Sequence, residues 1–99
     1  MTITRQEQDK MAVLLLSGHL DKEAAFQLRR ALSKEEALDI VLDFSDLDEI
    51  SAAGLRVILS SFKKLQPRGG RVAIQNASRH VGKVLDDTGL SEILAVNKR

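Results

Sequence analysis

Three short apolar runs, each followed by a stretch of helical periodicity, constrain this chain more than any other feature. "MAVLLLSG" (Met11 to Gly18) is a continuous apolar run closed by a turn glycine, the pattern of a strand buried on both faces. "LDIVLDFS" (Leu38 to Ser45) and "RVAIQ" (Arg71 to Gln75) are two further core strands. Between the first and second, Leu20, Ala24, Leu28, Ala31 and Leu32 recur at helical spacing, with Asp21 as N-cap. Between the second and third, Leu55, Ile58, Leu59, Phe62 and Leu65 form one helical stripe, while Arg56, Ser60, Lys63 and Lys64 face away. "QPRGG" stops that helix.

The flanks complete the pattern. "TITRQEQ" is polar with one anchor, Ile3, and suits an edge strand. A third helix starts at about Ser78 and breaks at Thr88-Gly89, and "AVNKR" closes the sheet as a last edge strand. The expected order is β-β-α-β-α-β-α-β: an α/β fold with a mixed sheet and helices packed mainly on one face. A chain of 99 residues makes one domain, residues 1–99.

Composition excludes several classes of function. Fifteen basic against fourteen acidic residues leave a net charge of +1, so no electrostatic case exists for nucleic acid. Phe26, Phe44 and Phe62 are the only aromatic residues, too few for a base-stacking platform. The absence of cysteine removes disulfides, thiolate metal sites and thiol catalysis. No apolar run approaches membrane length and "MTITRQEQDK" has no apolar signal core, so the expected location is the cytoplasm.

The remaining chemistry concentrates in "DFSDLDEISAAGL", Asp43 to Leu55. Asp43, Asp46, Asp48 and Glu49 fit no calcium loop, and a solvated acidic loop accounts for them better than a metal site. His19 and His80 stand far apart and read as surface or turn residues. "RGGR" has neither the spacing nor the lysine-hydroxyl pair of a phosphate loop, and no nucleophile is paired with a base. The expectation is a protein that is not an enzyme, with no catalytic residue, metal or cofactor. Ser51 fits an N-cap whose hydroxyl accepts from the amide of residue 53 or 54. The small residues Ala52, Ala53 and Gly54 then have two readings. They expose a helix N-terminus suited to recognition, or they let the helix approach a neighbouring element.

The stretch "VLDFSDLDEISAAGLRVIL" resembles the signature of STAS domains, the fold of bacterial anti-sigma factor antagonists. "LLLSGHLDKEAAFQLRRAL" and "GGRVAIQNASRHVGKVLDDTGLSEIL" are similar to the family's earlier and later segments, in the same order. The resemblance implies a partner-switching regulator that binds a kinase-type anti-sigma factor, a histidine-kinase-like ATPase, and so releases a sigma factor or another client. A PP2C-type phosphatase belongs to such circuits. In the family, the serine before the glycine is phosphorylated by the kinase; here that position is Ala53, with Ala52 beside it. Ser51 and Ser45 remain as substitute acceptors, Ser51 the better placed. The implied docking surface is Asp46, Asp48, Glu49, Ser51, Ala52, Ala53, Gly54, Leu55 and Arg56, flanked by Ser60 and Lys63. The missing acceptor keeps a second use open, as an accessory or scaffold subunit of a lipid-transport or stress-signalling assembly.

Overall fold

Register and burial in the computed structural model, which describes residues 1–99, show how the apolar runs become layers. The strands are β1 (Thr2–Gln8), β2 (Met11–Leu20), β3 (Asp39–Ile50), β4 (Arg71–Ala77) and β5 (Ala95–Lys98). The helices are α1 (Lys22–Lys34), α2 (Ala52–Leu65) and α3 (Arg79–Asp87), with short 3-10 turns at Gln66–Arg68 and Leu90–Glu92. Sheet order follows chain order, β1-β2-β3-β4-β5. β1 pairs antiparallel with β2, through a two-residue turn in which Asp9 and Lys10 both have positive φ. That is the twist a tight hairpin demands. The remaining pairings are parallel.

Right-handed crossovers that always step toward the same edge put their helices on the same face. One core results. Leu14 and Leu16 of β2, Ile40, Leu42 and Phe44 of β3, and Val72 and Ile74 of β4 share a 19-residue cluster with Leu28, Ile58, Val81 and Leu85 from the three helices. The opposite face carries Val13, Leu15, Val41 and Ala73, with Val13, Val41 and Ala73 in register across β2, β3 and β4. Val41 is buried there by its neighbours, yet stands outside the main cluster. β2 is therefore not buried on both faces: Val13 and Leu15 are only half-buried because no helix covers them.

Two expected boundaries move. The acidic segment is not a loop, because β3 runs on to Ile50 and pairs Asp46, Leu47, Glu49 and Ile50 with Ser17, Gly18, His19 and Leu20. Leu47 and Ile50 are buried while Asp46, Asp48 and Glu49 are exposed, so the acidic residues are the solvent-exposed positions of a strand whose register shifts at Asp48. β2 likewise passes Gly18, whose φ of 98° marks an irregularity rather than an end, and Leu20 is a strand residue. The rest of the expected order stands, including edge strands at both ends and Asp21 as the cap of α1.

Candidate functional site

The three parallel crossovers bring the N-termini of α1, α2 and α3 to one end of the sheet, each capped by a side chain. Asp21 accepts from the Ala24 amide at 2.8 Å, Ser51 from the Gly54 amide at 3.1 Å and Ser78 from the Val81 amide at 3.2 Å. In each case a short oxygen-bearing side chain satisfies one of the four amides that a helix start leaves unpaired. Ser51 is also tied to β2, its own amide donating to the Leu20 carbonyl at 2.9 Å.

The two faces of the first turn of α2 differ. Gly54 is buried, and a Cβ there would stand 2.6 Å from Leu20 Cγ and 3.3 Å from the Leu20 carbonyl oxygen. Only glycine allows this approach, so the packing reading of the small residues holds for Gly54. Leu55 is half-buried against the core. Ala52 is exposed and Ala53 half-exposed, with no hydroxyl on either. Arg56, one turn on, is exposed.

Asp46, Asp48 and Glu49 are exposed on the end of β3 that leads into this turn. Glu49 reaches His80 of α3, 3.0 Å from Nε2, which links the acidic end of β3 to the third helix. No three His, Asp or Glu side chains converge as a metal site. Asp43 belongs to a different arrangement. Its carboxylate accepts from the Ser45 hydroxyl at 2.5 Å, the Ser45 amide at 2.9 Å and Asn76 Nδ2 at 3.3 Å. Burial pushes the Asp43 carboxyl up, but the bonds from Ser45 and Asn76 outweigh it and hold the group below the usual carboxylate range. Ser45 thus has its hydroxyl committed within β3 to Asp43, and the bond from Asn76 to Asp43 bridges β3 and β4. Asn76 carries that bridge from a left-handed backbone position, φ 60°, which asparagine tolerates.

Sequence reasoning missed the α1 side of the site. Ala53 lines a groove of about 380 Å³ with Lys22, Ala25, Phe26 and Arg29 of α1 and Arg56, Val57 and Ser60 of α2. The available signal was Phe26, a large apolar residue off the buried stripe of its helix; it is 56% exposed.

The family model described as "STAS domain" matches residues 2–99. The chain belongs to the STAS domain family. Its fold agrees: SpoIIAA, an anti-sigma factor antagonist solved in its unphosphorylated form, superposes with a TM-score of 0.81 at 24% identity, over 96% of this chain and 87% of its own. An anti-sigma F factor antagonist of Paenibacillus polymyxa is 27% identical over 100 residues, which is 97% of this STAS domain and 86% of that protein. The anti-sigma-B factor antagonist of Bacillus subtilis (strain 168) is 27% identical over 86 residues, 85% of this chain and 79% of its own. No helix of this STAS domain is long and apolar enough to cross a membrane.

Proposed function

We propose that this STAS domain is an anti-sigma factor antagonist whose docking surface is the outward side of the first turn of α2 and the adjoining end of β3. Its partner is a kinase-type anti-sigma factor, which it occupies so that a sigma factor or another client is released. ATP belongs to that partner and not to this chain. The names of the similar proteins favour this class of function. The observation that carries the site is the first turn itself: Ala52 and Ala53 face outward on a helix start whose inward side, Gly54, is closed against Leu20.

Alanine at position 53 leaves no acceptor where the family's phosphorylated serine stands. In this reading the domain is held in the form that binds its partner, and a PP2C-type phosphatase has nothing to remove at that position. Ser51 is the nearest hydroxyl, but its oxygen caps α2 through the Gly54 amide. Incubation with the anti-sigma kinase and ATP, read by mass spectrometry, tests the point. The expected result is a stable complex, release of the sigma factor and no phosphate on the chain. Stoichiometric phosphate on Ser51 together with loss of the complex contradicts the constitutive form. Failure to displace any sigma factor leaves the accessory or scaffold role as the better reading.

A further inference from the structure

The exposed charge between α1 and α2 is one-sided. The groove that starts at Ala53 continues past Arg29, Val57 and Ser60 into a second hollow of about 240 Å³, which reaches Leu32, Lys64, Leu65 and Arg68. Its floor is apolar, from Ala25 through Val57 and Leu32 to Leu65. Its walls carry five exposed cations: Lys22, Arg29, Arg56, Lys64 and Arg68. None of the five is among the residues that form ion pairs. The one carboxylate on the lining, Glu35, is already bound by Arg5 at 2.6 Å.

Nothing internal to the fold requires this arrangement. α1 buries Ala24, Ala25 and Leu28, and α2 buries Gly54, Ile58 and Leu65, all without the cations. With a net charge of only +1, the balancing acid lies elsewhere, in part at Asp46, Asp48 and Glu49. Phe26 adds an exposed ring at the upper end of the groove, with the Arg29 guanidinium 5.3 Å from its centroid. Uncompensated cations beside an exposed aromatic ring cost the free protein some repulsion and some apolar hydration; a partner that supplies carboxylates and apolar side chains relieves both.

We infer that the α1–α2 groove docks an acidic amphipathic segment of a partner protein, with its apolar side chains on Phe26, Val57 and Leu32 and its carboxylates toward the five cations. α1 alone is 13 residues long, about 20 Å, room for roughly four turns of a bound helix. Arginine forks suit carboxylates two oxygens at a time. The apolar floor distinguishes this occupant from nucleic acid, since a phosphate backbone uses the cations but not the floor, and Phe26 offers only one ring for stacking. The inference goes beyond the α2-turn reading and does not depend on it.

The test uses the whole chain and a synthetic helical peptide of about four turns, with leucine along one stripe and glutamate elsewhere. A scrambled peptide of the same composition and an oligothymidylate serve as comparisons. The leucine-stripe peptide binds, and the amides of Phe26, Arg29, Val57 and Ser60 shift in the nuclear magnetic resonance spectrum. Joint replacement Arg29→Glu and Lys64→Glu raises Kd by on the order of tenfold or more. A peptide with lysine in place of glutamate then prefers that variant to the wild type. Phe26→Ala weakens binding without changing its salt dependence. These positions are exposed, and circular dichroism of each variant separates loss of binding from loss of fold. Equal binding of the scrambled peptide, unshifted groove amides, an undiminished affinity of the double variant, or displacement by the oligothymidylate overturns the proposal. No anti-sigma factor enters the assay, so its failure is distinct from failure of the α2-turn reading.

Discussion

The two sides of the short segment Ser51–Leu55 have opposite environments although they are one helical turn. On the inward side, Gly54 touches Leu20 so closely that a single added carbon would overlap it, and Leu55 packs on the core. On the outward side, Ala52 and Ala53 meet solvent and the open groove. Small residues occur on both sides, but for different reasons. Inside, smallness is a packing requirement, and outside it leaves a surface thin enough for another chain to approach. The difference teaches that a run of small residues at a helix start must be divided by face before a function is assigned to it.

The comparison breaks most readily in the core beneath the turn. Ile58 has no exposed surface and belongs to the main cluster. Ile58→Ala should therefore lower stability by about 2–5 kcal/mol, through lost apolar transfer and the cavity left behind. Phe62 and Leu59 lie on the same helix but are half-buried, so truncating them should cost less than truncating Ile58. Chemical denaturation of the three variants checks that order, and a greater loss for Leu59→Ala than for Ile58→Ala would mean the helix face is misassigned.

Gly54→Ala comes next. Alanine gains up to about 1 kcal/mol of helix propensity over glycine. Against this stands a contact of 2.6 Å with a Leu20 side chain that has no exposed surface and no room to move. Overpacking of this kind costs about 1–3 kcal/mol, so the net effect should be a loss of up to about 2 kcal/mol. A stabilised Gly54→Ala variant would contradict the close-approach account. Ser51→Ala removes the cap that serves both sides of the turn, at about 0.5–2 kcal/mol. Unchanged thermal stability of Ser51→Ala would show that the hydroxyl is free for modification.

Acid sensitivity provides a smaller contrast, since its sources lie away from the turn. The Arg5 guanidinium beside Glu35 holds that carboxyl below its ordinary range, and Asp43 is held low by its bonds from Ser45 and Asn76 despite burial. Both groups bind protons less readily folded than unfolded. Their contribution is complete above the ordinary carboxylate range, about pH 4, and is lost as pH falls through the depressed folded values. Glu35→Gln should flatten the decline of stability on acidification, while Ala53→Ser should leave it as in the wild type. An unaltered acid slope in Glu35→Gln would remove the Arg5 pair from the account.

Much of this architecture could be read from the chain because its apolar runs and helical stripes differ in period. Ile40, Leu42 and Phe44 alternate, whereas Leu55, Ile58, Leu59 and Phe62 recur as a helix does. The ends of β2 and β3 were less accessible to such reading. Leu47 and Ile50 are isolated anchors within an acidic run, and three carboxylates outweigh two apolar residues in any local count. Only their pairing with Gly18 and Leu20 shows that the segment is a strand. The α1–α2 groove could not be read at all, because it depends on two helices lying side by side. Lys22, Phe26 and Arg29 look like an ordinary solvated face until Ala53 and Arg56 stand opposite them. The likeness to STAS domains is what suggested a docking role for the turn, whose local physics alone left packing and recognition both open.

The outward side of the turn is tested most directly by placing a charge there. Ala53→Glu leaves the fold intact, since a negative charge suits a helix N-terminus and stability should stay within about 0.5 kcal/mol of wild type. The same side chain adds bulk and a charge to the proposed contact, both of which a partner fitted to a small apolar residue must accommodate. Isothermal titration calorimetry against the proposed partner, a kinase-type anti-sigma factor, with thermal denaturation of the same samples, measures both effects. The account predicts an unchanged melting temperature and an affinity weaker by on the order of tenfold or more, with Ala53→Ser close to wild type. Equal affinity of the wild type and Ala53→Glu would contradict it and place the docking surface elsewhere on the domain.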